Sequence, residues 1–405
     1  MQKKTKKNNL YREAAAASGI LMLIIFLLHL IPLNFEIFKP FKEQFNDFDI
    51  YDMVYSDLAL GDQKKDTSIV LVQIAEDRQK IAGQLKLLQK CQPAVIGVDV
   101  TFETRSDDLI ADSILADQLR KPNVVTGNRL YLDSSNKIDV LPNFFDTDSD
   151  SVNSGYFNFL GGEISVVRYY PPFVKAGERV NNSFTSVIAK KIKPGDYRVL
   201  ESRKNKKEII NYSGNLEHYT SFLWQNVDTA QLADKVKGKI VLLGVLYKKK
   251  PLVLEDLHFT PMNSKINGKS FPDAYGVVIH ANILSMIFSG NYIGSFPLSL
   301  TYIFAAVISF FLVLYQLRRI KKNKHAPHWQ VILYQFILII ALTGIFLFIF
   351  KKWQIKIPLS PIVLCIIISV ELLWIYRYFA QLMNKWFSWH TIFAHSQKKT
   401  HEKAA

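Results

Sequence analysis

Four stretches of this chain are apolar for about 20 residues each, the length an α-helix needs to cross a bilayer core. They are residues 14–33 (AAAASGILMLIIFLLHLIPL), 296–317 (FPLSLTYIFAAVISFFLVLYQL), 329–350 (WQVILYQFILIIALTGIFLFIF) and 357–379 (IPLSPIVLCIIISVELLWIYRYF). Hydrocarbon offers a backbone no hydrogen-bond partner, so segments of this kind must satisfy their own peptide groups as helices. The pattern predicts one transmembrane helix near the start and three near the end. The long segment 34–295 lies between them.

Charge placement agrees with a membrane reading. The net charge of +15 would suit a nucleic-acid binder. Yet residues 34–295 hold 32 basic and 32 acidic side chains, and the remainder holds 18 basic and 3 acidic ones. The excess flanks the apolar runs, which is the signature of membrane topology rather than of a phosphate-binding surface. No nucleic-acid partner is expected; the lipid bilayer is.

Residues 1–13 carry five Lys or Arg, the connection 318–328 carries five more, and the tail 380–405 carries Lys385, Lys398, Lys399 and Lys403. Placing all three inside gives four crossings and puts 34–295 outside the cytoplasm. The short loop 351–356, with three lysines, pulls weakly the other way. The first run continues into NFEIFKPF with no small-x-small cleavage pattern, so it reads as an uncleaved anchor. Cys91 is the single cysteine of 34–295, which leaves that segment to be held by its core rather than by an internal disulfide.

Residues 34–295 read as an α/β domain with a mixed, largely parallel sheet. Residues 69–75 (IVLVQIA) form a continuous apolar run of strand length. Ile81, Leu85 and Leu88 share one helical stripe in 77–90, and 94–102 (AVIGVDVTF) is a second apolar run. Strand, helix and strand at this spacing form a βαβ unit whose strands are buried on both faces. A helix at 112–120 and a strand at 123–127 follow. The middle, with 155–159, 165–174 and 208–214, reads as strands between polar turns. A buried strand at 240–245 precedes a nearly all-apolar helix at 274–290 that closes on Gly290.

In order, 69–75, 94–102, 164–173 (ISVVRYYPPF), 238–244 (GKIVLLG), 256–261 (DLHFTP) and 276–284 (GVVIHANIL) resemble the CHASE2 family of extracytoplasmic sensory domains. The likeness covers residues 40–290, and the three apolar runs behind it match the family's usual arrangement. The resemblance implies a sensor in a bacterial inner membrane, with both termini cytoplasmic. Its implied partners are an unknown small extracytoplasmic ligand, and a separate signalling protein or further copies of the chain. Family members often carry an enzymatic output domain after the last helix, and residues 380–405 are too short for one. No cofactor and no enzymatic activity are expected.

Ligands of open parallel sheets favour the crevice beyond the strands' carboxyl ends. Asp99 and Glu103 follow the strand at 94–100. Asp256, His258 and Thr260 follow the strand at 240–245, and His280 lies in the last helix. Together they outline a polar cleft able to bind a cation or small polar ligand, with Asp256 and His258 as weak metal-ligand candidates. The bland reading of 256–261 is a turn, since Asp and Thr cap helices and fix turns, and a histidine in an apolar helix is commonly a core residue. No zinc signature, phosphate loop or nucleophile elbow is present. Arg168 reads as a salt-bridging residue and 247–251 (YKKKP) as a solvated loop. Glu371 is the acid inside an apolar run, a functional candidate by position. Two rival functions stay open: a ligand-free envelope scaffold, and a metal-dependent hydrolase using Asp256 and His258.

Overall fold

The computed structural model describes residues 2–30, 49–59, 65–146, 153–159, 165–224, 229–247, 256–263, 272–322, 329–387, 391 and 393. Lys248, Lys249, Lys250 and Glu255 lie outside them. The chain forms two compact units, one of Glu43–Ile293 and one of Met1–Lys42 with Gly294–Ala405.

The chain opens on helix α1 (Gln2–Leu30) of the second unit. The first unit begins with α2 (Asp52–Ala59). Then come β1 (Asp66–Gln73), α3 (Arg78–Lys90), β2 (Val95–Val98), α4 (Leu109–Leu119), β3 (Val124–Leu132), β4 (Ile138–Leu141) and β5 (Ser154–Tyr156). Three short strands follow: β6 (Tyr169–Tyr170), β7 (Phe173–Ala176) and β8 (Arg179–Asn182). Next are α5 (Phe184–Ile192), α6 (Pro194–Ser202), β9 (Glu208–Ile209), β10 (Tyr219–Phe222), α7 (Thr229–Val236) and β11 (Ile240–Gly244). The unit closes with β12 (Leu257–His258), β13 (Ala274–Tyr275) and α8 (Gly276–Ser289).

The main sheet runs β10-β1-β11-β2-β3-β4, with β5 also on β3. Every pairing is parallel except that of β3 with β4. The central register aligns Leu71 with Leu242 and Leu243 with Val98. Successive side chains along a strand point to opposite faces, and both faces are apolar. Val70, Val72, Val241 and Leu243 pack with Leu85 of α3, Leu115 of α4 and Leu232 of α7. Ile69, Leu71, Ile240 and Leu242 pack with Phe184 of α5 and with Val277, Ala281 and Leu284 of α8. Each fully buried side chain of this size contributes about 1.5–3 kcal/mol relative to exposure. This two-sided burial is why the strands lack polar alternation.

Local chemistry sets the helix ends. The Asp77 carboxylate accepts from Lys80 N–H to start α3, and Asp108 accepts from Ile110 and Ala111 N–H to start α4. Gly290 closes α8 at φ +65°, where a side chain would be strained. The middle of the unit departs from expectation. The stretch 165–174 yields only β6 and the start of β7, because Pro171 and Pro172 interrupt the ladder. The stretch 208–214 yields only the two residues of β9. Helices α5 and α6 lie where no element is expected.

In the second unit, β14 (Gly294–Ser295) precedes α9 (Leu298–Lys322), α10 (Trp329–Trp353), β15 (Ile355–Lys356) and α11 (Ser360–Phe387). Among the described residues three helical segments are long and apolar enough to cross a membrane: Leu10–Leu27, Leu298–Lys322 and Trp329–Trp353. The fourth run forms the pair Ser360–Ser369 and Glu371–Trp386, bent by 45°, which counts as a span if the pair is taken as one.

Candidate functional site

Strands β2 and β11 are parallel neighbours, so their carboxyl ends lie side by side. Asp99 follows β2 directly, and its N–H donates to Leu243 O at 2.7 Å. Beyond β11 the chain returns as the two-stranded ribbon β12–β13, which pairs His258 with Ala274 and leads into α8. Sheet edge, ribbon and helix start thus meet at one place.

Four of the expected residues meet there. His280 Nε2 lies 3.7 Å from Asp99 Oδ1, and His258 Nε2 lies 3.5 Å from Asp256 Oδ1. Asp256 raises the Asp99 proton affinity through space, which ties the two pairs into one cluster. The Asp256 backbone stands at φ +61°, a left-handed conformation that Asp tolerates better than most residues. Its carboxylate then lies over the first residue of α8. A Cβ on Gly276 would sit 3.0 Å from Asp256 Oδ1, so glycine is what admits the close approach. Rings wall the inner side: Phe157, Phe159 and Phe184 lie 5.8, 4.7 and 5.2 Å from the His280 ring, and Phe159 stands edge-on to His258 at 5.4 Å.

Electrostatics follow from burial. Desolvation, with the Asp256 charge second, pushes the Asp99 carboxyl well above its ordinary range. Desolvation, with His258 second, pulls His280 down to about 3. Asp99 Oδ2 and His280 Nδ1 are buried and have no hydrogen-bond partner among the described residues.

Thr260 and Glu103 do different work. Thr260 is fully buried, and its N–H and hydroxyl both donate to the Asp273 carboxylate. Its Oγ1 also accepts from Met262 N–H, so it fixes the turn that the bland reading expects. Burial pushes Asp273 up to about 6, against the pull of the Thr260 hydrogen bonds and of His258. Asp273 is legible only once the ribbon sets it beside Thr260, thirteen positions away in sequence. Glu103 forms an exposed ion pair with Arg129 at 3.0 Å. Arg168 is buried and grips Asp52 with two nitrogens, at 2.9 Å from Nε and 2.6 Å from Nη2. That pair ties α2 to the strand region of the unit.

Cavities open beside the sheet. One of about 790 Å³ opens beyond β1, β2 and β11, lined by Gln73, Arg78, Val100, Phe102 and Tyr247 among others. Another of about 630 Å³ is lined by Asn215, Tyr219, Leu257, Asp273 and Tyr275 among others. Asp99, Asp256, His258 and His280 line neither. Among the described residues no group of three or more His, Cys, Asp or Glu side chains is arranged to hold a metal ion.

In the second unit the intramembrane candidate Glu371 lies on the exposed surface of α11. Among the described residues of this unit the buried acid is Glu13 of α1, fully enclosed and bonded by the Tyr376 hydroxyl of α11 at 2.6 Å. Glu13 falls on the stripe of Leu10, Ala14, Ala17 and Leu21, which are all buried. That periodicity is a signal for it, but a window opening at Ala14 leaves it in the tail.

No curated protein and no solved structure matches the chain. The CHASE2 domain family matches residues 21–315, well over half of its length. That match runs from within α1 to within α9 and takes in the whole Asp99–His280 site. The chain belongs to the CHASE2 family of extracellular sensory domains, carried here beside helices of membrane-spanning length.

Proposed function

We propose that this chain is a multi-pass sensor of a bacterial inner membrane. It has four spans, with Glu43–Ile293 outside and both termini in the cytoplasm. It receives a small extracytoplasmic ligand at Asp99, Asp256, His258 and His280, and relays the event to a separate signalling protein or to further copies of itself. The observation that supports this most is the place of the cluster. Its residues gather around the first turns of α8, and α8 ends only nine residues before Leu298, where α9 begins. Such a relay works only if the ligand favours one state of α8 over another. No enzymatic step is required of the chain.

Full-length protein in cells tests the reading. Cys91 and Cys365 are both buried, so labelling of introduced cysteines stands on a low background. A membrane-impermeant maleimide is expected to label Glu103→Cys in intact spheroplasts and Lys322→Cys only after lysis. The reverse result overturns the orientation. Cross-linking from Lys385→Cys, near the end of α11, is expected to capture a partner or a second copy to an extent that changes with His280→Ala. Capture indifferent to that substitution contradicts the relay.

A further inference from the structure

Among the described residues, two polar atoms of the Asp99–His280 contact, Asp99 Oδ2 and His280 Nδ1, are buried and without a hydrogen-bond partner. Native interiors pair nearly every such atom, so two in one contact call for an explanation. Enclosure decides what that is. The Asp99 side chain is 10% exposed and that of His280 5%. So little exposed area leaves a small organic molecule little to contact. A metal ion requires a ligand set, and no such set is present among the described residues. A proton requires only the two side chains.

We propose that the Asp99–His280 pair, with Asp256 and His258 at its outer edge, is a proton-binding site, and that the signal this domain takes is the acidity of its surroundings. The inference rests on the sensor reading above and names its ligand.

Among the described residues, the groups facing the pair come from four stretches of the chain. The segment before α8 supplies Asp256 and His258, with Asp273 behind them on Thr260 and Tyr275 at the start of the helix. The stretch after β5 supplies Phe157 and Phe159, and α5 supplies Phe184, none of them charged. Strand β11 supplies the Leu243 carbonyl. Burial and Asp256 favour a protonated Asp99 carboxyl, and burial favours a neutral His280 imidazole, so the pair is held uncharged. On loss of the proton to bulk water, past the partly exposed Asp256, two carboxylates oppose each other against the first turn of α8. Lifting that turn to admit water relieves them.

The two groups have opposite signs. Asp99 holds its proton more tightly folded than unfolded, so its contribution to stability is lost as pH rises from 3.8 towards its folded value. His280 holds its proton less tightly folded, so its contribution is lost as pH falls from 6.5 towards about 3. Between 3.8 and 6.5 the slopes oppose each other.

The test is thermal unfolding of the full-length protein in detergent across that window, with the proton as the sole probe. All other titrating groups are common to every variant, so difference curves against wild type isolate the pair. The melting temperature of Asp99→Asn, relative to wild type, is expected to rise with pH, and that of His280→Gln to fall. Flat difference curves for both overturn the proposal. Should Asp99→Asn fail to fold, Asp256→Asn takes its place. Removing the Asp256 charge is expected to move the Asp99 transition to lower pH, and an unmoved transition overturns the site. Protection of the 276–289 amides, with the intrinsic pH dependence of exchange divided out, is expected to fall with pH in wild type and to lose that fall in the Asp99 or Asp256 variant. A response present at 276–289 and absent from 298–322 leaves the proton site standing and contradicts the relay.

Discussion

His280 and Asn282 stand two residues apart on α8, both buried, and the fold treats them in opposite ways. Asn282 uses every polar atom. Its Oδ1 accepts from Ser213 N–H at 2.7 Å, from the Ser213 hydroxyl and from Gly214 N–H, and its Nδ2 donates to Gly214 O and Val278 O, both at 2.9 Å. It pins the 213–214 turn to the helix. His280 pins nothing. Among the described residues one of its nitrogens has no partner, the other faces Asp99 beyond hydrogen-bond reach, and three phenylalanine rings close around it. Asn282 is a polar side chain kept for structure, and it is fully satisfied. One kept at a cost in stability, beside a second orphaned atom, marks function.

The contrast can be broken most forcefully at Asn282. Asn282→Ala strands two N–H groups and a carbonyl in the interior and is expected to cost about 3 kcal/mol. Unfolding of the full chain in detergent measures this, and the loss is expected to be independent of pH. A cost near zero would remove the distinction. Gly276→Ala sharpens the other side. Its Cβ meets the Asp256 oxygens at 3.0 and 3.1 Å, so the carboxylate must turn away. The expected cost is about 1 kcal/mol, together with a shift of the Asp99 transition to lower pH. His280→Leu is expected to have the smallest effect on stability, within about 1 kcal/mol of wild type in either direction, because it removes an unpaired group from an apolar wall. It is nevertheless expected to change the slope of stability against pH. A large loss with an unchanged slope would make His280 a structural residue like its neighbour.

The central strands were legible because they are buried on both faces. IVLVQIA and AVIGVDV leave no polar alternation, and Gly290 announces the end of α8. The short helices α5 and α6 were not, since nine residues with β-branched Thr185, Val187 and Ile188 carry little helical signal without the sheet they pack on. At the site, Asp99, Asp256, His258 and His280 could be placed together from the expected strand ends. The roles of Thr260 and Glu103 could not. Thr260 is claimed by Asp273 through the β12–β13 ribbon, and Glu103 by Arg129 of β3, and both contacts depend on tertiary geometry. Nothing in the residue pattern showed that the Asp99–His280 contact would be enclosed, which is what narrows its ligand.

The protonation state of Asp99 tests the account most directly. Infrared difference spectra of the full-length wild type against Asp99→Asn, taken at mildly acidic pH above the ordinary carboxylate value of 3.8, report it without a ligand or a partner. The account predicts a protonated-carboxyl carbonyl band in wild type that Asp99→Asn lacks and that gives way to carboxylate absorption as pH rises. An ionised Asp99 throughout that range, with no such band to lose, would contradict it.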